Sequence, residues 1–204
     1  MAILLDLIGS ALVSAFVLLL GLRLNMTVAA SSDAAKADLN VQESLVDIVQ
    51  TIEYDFRKIG YGVIDPKMSI VFADTNRLRF LADMDNNGVL DTLEWWVGPP
   101  ITTMPNPKIR ALFRRVSGGS AVAAPGLGVT EFGMVYRDVD GALVSATYPV
   151  PAGSLSKIWI IETTLKVESP YKVADQVMGY EKMVNAAAFW RQTRLASRNV
   201  KRHG

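Results

Sequence analysis

The run MAILLDLIGSALVSAFVLLLGLRLN at the start of the chain constrains the fold more than any other stretch. Between Asp6 and Arg23 lie 16 uncharged residues, Leu7 to Leu22, spanning about 24 Å as an α-helix. That is short of the roughly 30 Å hydrocarbon core of a bilayer. Counted from Ile3, with Asp6 tolerated, the run reaches 20 residues and just fits. A carboxylate sits inside this apolar run, and no lysine or arginine precedes it. Any account of the fold must give that carboxylate a purpose.

The continuation is amphipathic. In DAAKADLNVQESLVDIVQTIEYDFRKIG, Val41, Leu45, Ile48, Val49, Ile52, Phe56 and Ile59 recur at three- and four-residue steps with charges between them. Gly60 is the expected C-terminal stop, with Arg57 and Lys58 in the last turn. Helical from Ile3 to Ile59, the segment would be about 85 Å long. A head of about 145 residues has a radius of gyration near 15 Å. The head can cover the amphipathic half but cannot reach the apolar half, which needs a membrane or copies of itself. Gly21 and the Asn25–Ser32 stretch are weak helix formers, so a break between the halves is expected.

Three readings fit the apolar segment. As a secretory signal it has a good apolar region and Thr27-Val28-Ala29-Ala30 before a cleavage site, but its first residues are acidic rather than basic. As a simple anchor it leaves Asp6 unexplained, because an acidic residue costs about 2.5–3.5 kcal/mol at mid-membrane. The third reading packs many copies together. Ser10 with Ser14, and Ala11 with Ala15, are small residues at four-residue spacing, which lets helix backbones approach closely. In such a bundle each N-terminal amine enters an apolar interior. Asp6 of one subunit pairs with the amine of its neighbour and fixes their stagger, where losing one partner of a buried pair costs about 3–5 kcal/mol.

Composition excludes several activities. The chain has 204 residues, a formal net charge of +1, no cysteine and one histidine, His203. Disulfides, thiolate catalysis and Cys-based zinc sites are absent, and no serine has a histidine partner outside the tail. The near-neutral charge gives no global case for nucleic acid. Paired carboxylates cluster in turns rather than facing a cleft. The chain reads as no enzyme.

From Met68 onward the hydrophobic period changes to two. MSIVFADT, RLRFLADMD and VLDTLEWWVG read as strands, FGMVYRDVDGALVSATYPV as a hairpin turning at Asp140-Gly141, and LSKIWIIETTLKVES as the strongest strand, with Trp159, Ile161, Thr163, Leu165 and Val167 on one face. Trp95 and Trp96 are adjacent in a strand and so face opposite ways, one into the core and one toward a contact surface. GPPITTMPNPK and SGGSAVAAPGLG read as loops, and Gly126-Leu-Gly128 lacks the lysine of a phosphate loop. AAAFWRQTRLASRNV reads as a last strand. The fold class is α+β: a long N-terminal helix on an antiparallel sheet, divided as an apolar helix at 1–33, an amphipathic helix at 34–60 and a sheet head at 61–204.

The turn Asp83-Met-Asp85-Asn-Asn87-Gly88-Val89-Leu-Asp91-Thr-Leu-Glu94 fits the twelve-residue calcium-loop spacing, with oxygen donors at Asp83, Asp85, Asn87, the Val89 carbonyl, Asp91 and Glu94. Strand-like rather than helical sequence flanks it, so a plain tight turn with Asn87-Gly88 at positive φ is the competing reading. If an ion binds, Glu94 is the poorest ligand, because a strand would point it away. Asp138 and Asp140 repeat part of the pattern beside Gly141. After Glu181 the chain has no acid, while Lys182, Arg191, Arg194, Arg198, Lys201 and Arg202 are basic. With Phe189 and Trp190 these could hold phosphates and stack bases, although a solvated terminal strand explains them as well.

Taken in order, the apolar helix with an early acid, its amphipathic continuation, FLADMDNNGVLDTLEWWV, MVYRDVDGALV, LSKIWIIETTLKVES and the closing Arg198-Asn199 resemble the type IV pilin-like proteins, which include minor pilins and pseudopilins. The resemblance covers nearly the whole chain. It implies a structural subunit held in the inner membrane and then assembled, with its own copies or with other pilins, into a cell-surface filament. It also implies that Ala2 becomes the first residue and that Asp6 takes the place of the family's usual glutamate. The family's basic leader and lower-helix proline have no counterpart here. The alternative is a single-pass anchored domain that binds calcium or a protein partner without polymerising.

Overall fold

The computed structural model describes residues 2–124, 128–177 and 180–195, and the side chains of all these but 2, 174–177, 180–182 and 191–195. One helix, α1 (Ala2–Arg57), runs 56 residues without interruption, about 84 Å. The break expected near Gly21 and Asn25–Ser32 does not occur. Helix propagation is cooperative, so good formers on both sides carry a weak stretch through. Thr27 adds a hydroxyl bond to the Arg23 carbonyl at 3.0 Å. The helix ends three residues before Gly60, which adopts φ +77°.

The head is an antiparallel sheet in which β1 (Ile70–Ala73), β2 (Arg77–Ala82), β3 (Asp91–Pro100), β4 (Arg110–Val116), β6 (Val129–Arg137), β7 (Ile160–Val177) and β8 (Tyr180–Leu195) lie in that order, and the short β5 (Val122–Ala123) pairs with β4. The α+β architecture therefore holds. The junction of β4 with β6 is a single pair, Arg110 with Val129. The turn between β1 and β2 fills the space beside β6, where the Met134 N–H donates to the Thr75 carbonyl at 2.7 Å.

Strand alternation decides the core. Leu78, Phe80, Leu93, Trp95, Met134, Tyr136, Ile161, Leu165 and Val167 face inward and are buried. Against them lies one stripe of α1: Val41, Ile48, Ile52 and Phe56. Phe56 meets Phe80 edge to face at 6.0 Å. Each large side chain so buried contributes about 1.5–3 kcal/mol. This seam, rather than helix propensity, holds the helix on the head.

Two elements differ from the sequence reading. The Asp140-Gly141 turn forms, with Gly141 at φ +83°. However, the returning segment makes only one bridge, Arg137 with Leu143, and the chain then wanders to a 3-10 turn at Ala152–Lys157 before β7. A strand over RALFRRV, β4, was not expected at all. Its apolar residues do not alternate, since Ala111, Leu112 and Phe113 are consecutive, and arginines flank them, of which Arg114 and Arg115 are partly buried.

Candidate functional site

The apolar half of α1 stands clear of the head. Side chains from Ile3 to Val28 are exposed, no large apolar one less than Leu20 at 46%, and the most apolar window is entirely uncovered. It is long and apolar enough to cross a membrane by length and composition. Asp6, Ser10 and Ser14 follow one another at four-residue steps, so they share a helix face. Ala11 and Ala15 continue the small surface beside them. The Ser10 hydroxyl donates to the Leu7 carbonyl at 3.0 Å, so it adds no orphan donor to an apolar contact. Ala2 begins the helix.

The joint between helix and head is an ion pair that the sequence reading missed. Asp55 lies within the buried stripe, fully inaccessible. Its carboxylate accepts from Arg114 Nε at 2.6 Å, from Arg114 Nη2 at 3.0 Å and from the Trp95 indole N–H at 2.8 Å. The bond to Asp55 raises the Arg114 pKa further, against the opposing effect of burial. An aspartate three residues after Ile52 and one before Phe56 is a visible anomaly in the stripe. Its partner was not visible, because it sits on the unrecognised β4.

The acidic loop between β2 and β3 brings Asp83, Asp85 and Asp91 together, with one oxygen of each within 4.8 Å of the others. Asp83 accepts from the Asn87 and Gly88 N–H groups at 3.1 and 3.0 Å, and Asp91 from the Met84 N–H at 3.1 Å and the Ser117 hydroxyl at 2.6 Å. Asp85 is bound by Asn87, whose own side-chain oxygen accepts from the Val89 N–H at 2.7 Å. Positive φ falls at Asn86 and Gly88 rather than at Asn87. The loop is thus a complete turn on its own hydrogen bonds. Three carboxylates this close are also a donor set that suits a hard divalent cation.

Glu94 stands apart from that loop. It points to the sheet face opposite α1, and its side chain is 2% exposed under Arg77, Arg79 and Arg115. Arg77 Nη2 lies at 2.6 Å and Arg79 Nη2 at 2.8 Å, and Arg115 also contacts it. Burial pushes the Glu94 pKa up, but the three guanidiniums outweigh burial and hold it below the usual carboxylate value. Arg77 also lies over Phe72 and Arg115 over Trp96, which stacks on Phe113 at 5.4 Å. Of the two tryptophans, Trp95 is core and Trp96 is on this outer face.

In the basic C-terminal region, Phe189 is exposed and Trp190 packs partly on the core. The cationic heads of Lys182, Arg191 and Arg194, and all of Arg198, Asn199, Lys201, Arg202 and His203, lie outside the described side chains. So do Gly126 and Leu127. No protein-family model, no curated protein and no solved structure matches the chain. What stands is a long N-terminal apolar helix packed through its second half on an antiparallel sheet, an arrangement compatible with pilin-like architecture, with a first half able to enter a membrane.

Proposed function

We propose that this chain is the structural subunit of a type IV pilin-like filament, held in the inner membrane by the first half of α1 and assembled outside it. The observation that supports the reading is the single continuous helix whose apolar half no part of the head covers among the described residues, with a carboxylate placed inside it. Apolar helices bundle in the filament core, the heads form the shell, and Asp6 neutralises a neighbour's N-terminal amine. Nothing in this role calls for catalysis, so the chain is read as no enzyme. Co-assembly with other pilins uses the same contacts.

The test is Asp6→Ala. Filaments sheared from cells and viewed by electron microscopy should fall at least tenfold, while the head keeps its unfolding midpoint. Undiminished filaments from that variant would sink the pairing. Intact mass of the wild-type filament subunit shows whether Ala2 is its first residue. A second reading, an anchored domain that binds calcium without polymerising, draws on the clustered carboxylates of Asp83, Asp85 and Asp91. In that case the wild-type chain leaves the membrane in detergent as monomers or small oligomers and yields no filaments.

A further inference from the structure

Among the described side chains, charge on the head and helix is segregated although the whole chain is nearly neutral. On the outer sheet face, β6 and β7 balance their charges, as in the Arg137–Glu162 pair at 2.7 Å. Across β1, β2, β3 and β4 the same face sets three guanidiniums against one carboxylate, Glu94. One arginine would neutralise Glu94, and the other two leave a surplus. All three side chains remain 37–42% exposed. Arg77 and Arg79 stand on β2, next to β1, and Arg115 stands on β4. β1 is the last strand of the sheet, but its Ala73 carbonyl accepts from the Val150 N–H at 2.8 Å; what it leaves exposed is Val71, with Met68 just before it.

The opposite charge lies on α1. Between residues 33 and 47 it exposes Asp33, Asp38, Glu43 and Asp47 against a single cation, Lys36. Lys36 approaches Asp33 at 3.9 Å, with both side chains more than 70% exposed; counting it, this stretch of the helix keeps a net charge of −3, with exposed Lys172 on the facing wall. Asp33, Glu43 and Asp47 border a groove of about 550 Å³ whose other wall is the Ser169–Val173 stretch of β7. That wall lies at a bulge in the β7–β8 ladder, between Glu168 and Lys172. The Ser169 carbonyl there accepts from Asn106 at 3.4 Å and from Asn185 at 2.8 Å. Val41, Pro170 and Tyr171 give the groove an apolar lining beneath its acidic rim.

A concave site with apolar walls and an acidic rim fits a convex guest with apolar residues backed by cations. Exposed Val71 and Met68, with the arginines beside them, are such a guest, and they are carried by this same chain. We infer that Val71 and Met68, together with Arg77, Arg79 and Arg115 on the outer sheet face, seat in the α1–β7 groove of a second copy. The two patches do not overlap and lie toward opposite ends of the strand order. A contact between unlike patches is head-to-tail, and it propagates into an open polymer or a ring rather than closing as a two-fold dimer. The contact thus rests on the assembly reading above and supplies what that reading lacks, a specific junction between heads. Acid side chains suit this basic face better than nucleic acid does, because Trp96 is already engaged by Phe113 and Arg115 and is not free to stack a base.

Arg77→Lys keeps the charge and supplies an amine for zero-length carbodiimide coupling to a carboxylate. Filaments are co-assembled from isotopically labelled and unlabelled chains of this variant, coupled, and digested for mass spectrometry. The expected product is a mixed-label crosslink from position 77 to Asp33, Glu43 or Asp47. Coupling only to Glu94 of the same chain, or between copies at other acids, overturns the contact while leaving the filament reading in place. Independently, Glu43→Lys with Asp47→Lys should lower filament yield at least tenfold without moving the unfolding midpoint of the detergent-solubilised chain. Unchanged yield also overturns it. Failure of the unsubstituted chain to form filaments overturns the assembly reading, and this contact with it.

Discussion

Replacing Arg114 by alanine removes the cation that Asp55 needs. The carboxylate is fully buried and would keep only the Trp95 indole N–H, at 2.8 Å, in place of three donors. Removing one partner of a buried ion pair costs about 3–5 kcal/mol. Arg114 is 30% exposed, but the charge left behind is the inaccessible one, so the cost belongs near the middle of that range, about 4 kcal/mol. For a chain of this size that lowers the melting temperature on the order of 10 °C. Asp55→Ala leaves a guanidinium that still touches water, and its main cost is the orphaned indole N–H, about 1–3 kcal/mol. The double variant Asp55→Leu, Arg114→Met puts apolar volume where both charges were and should be more stable than Arg114→Ala alone. The assay is urea unfolding of the detergent-solubilised full chain, followed by the β-sheet circular dichroism signal. A cost below about 1 kcal/mol for Arg114→Ala, or a double variant as unstable as the two singles summed, would refute the reasoning.

Two further expectations concern the charged clusters. The Glu94 pKa is lower in the folded chain than its ordinary 4.5, so its stabilisation is complete above that value and is lost as pH falls through the folded pKa. The urea midpoint should therefore stay level toward pH 5 and drop below about pH 4.5, with a shallower drop in Glu94→Gln. A midpoint that falls equally in both removes Glu94 as the cause. Calcium at tenfold its dissociation constant should raise stability by about 1.4 kcal/mol, and Asp83→Asn with Asp91→Asn should abolish the gain. No shift at millimolar calcium, the range of weak extracellular sites, would leave the loop as a turn alone.

How much of this was legible in the sequence depends on whether one element's pattern was enough. The buried stripe of α1 and the inward faces of β2, β3 and β7 could be read directly, because burial there follows a fixed period in a single segment. Gly21 and Asn25–Ser32 misled because propensity is local and helix propagation is cooperative. β4 escaped because RALFRRV spends three of seven positions on arginine, and arginine reads as surface. Here Arg114 reaches through to Asp55, 59 positions earlier, and Arg115 lies over Trp96. The surplus charge on the outer face was hidden for the same reason, since Arg77, Arg79 and Arg115 meet at Glu94 only once three strands are in register. Asp6 was legible because it is an anomaly against a uniform background and needs no partner to be noticed.

On the proposed assembly, that carboxylate is also what distinguishes the environments open to the first half of α1. Sixteen large apolar side chains from Ile3 to Val28 are exposed, and covering each is worth about 1.5–3 kcal/mol. The sum exceeds the 5–15 kcal/mol that stabilises a typical fold, so this half cannot remain in water. Lipid and a bundle of identical helices satisfy it almost equally, because lipid tails are as apolar as leucine. The hydrophobic term is the largest in the molecule, yet it cancels between the two. The difference comes from the few residues lipid does not favour: Asp6, at about 2.5–3.5 kcal/mol if held near mid-membrane, and the close approach that Ser10, Ala11, Ser14 and Ala15 permit. A helix meant to remain in lipid gains nothing from either, whereas one that leaves lipid for its own copies gains from both.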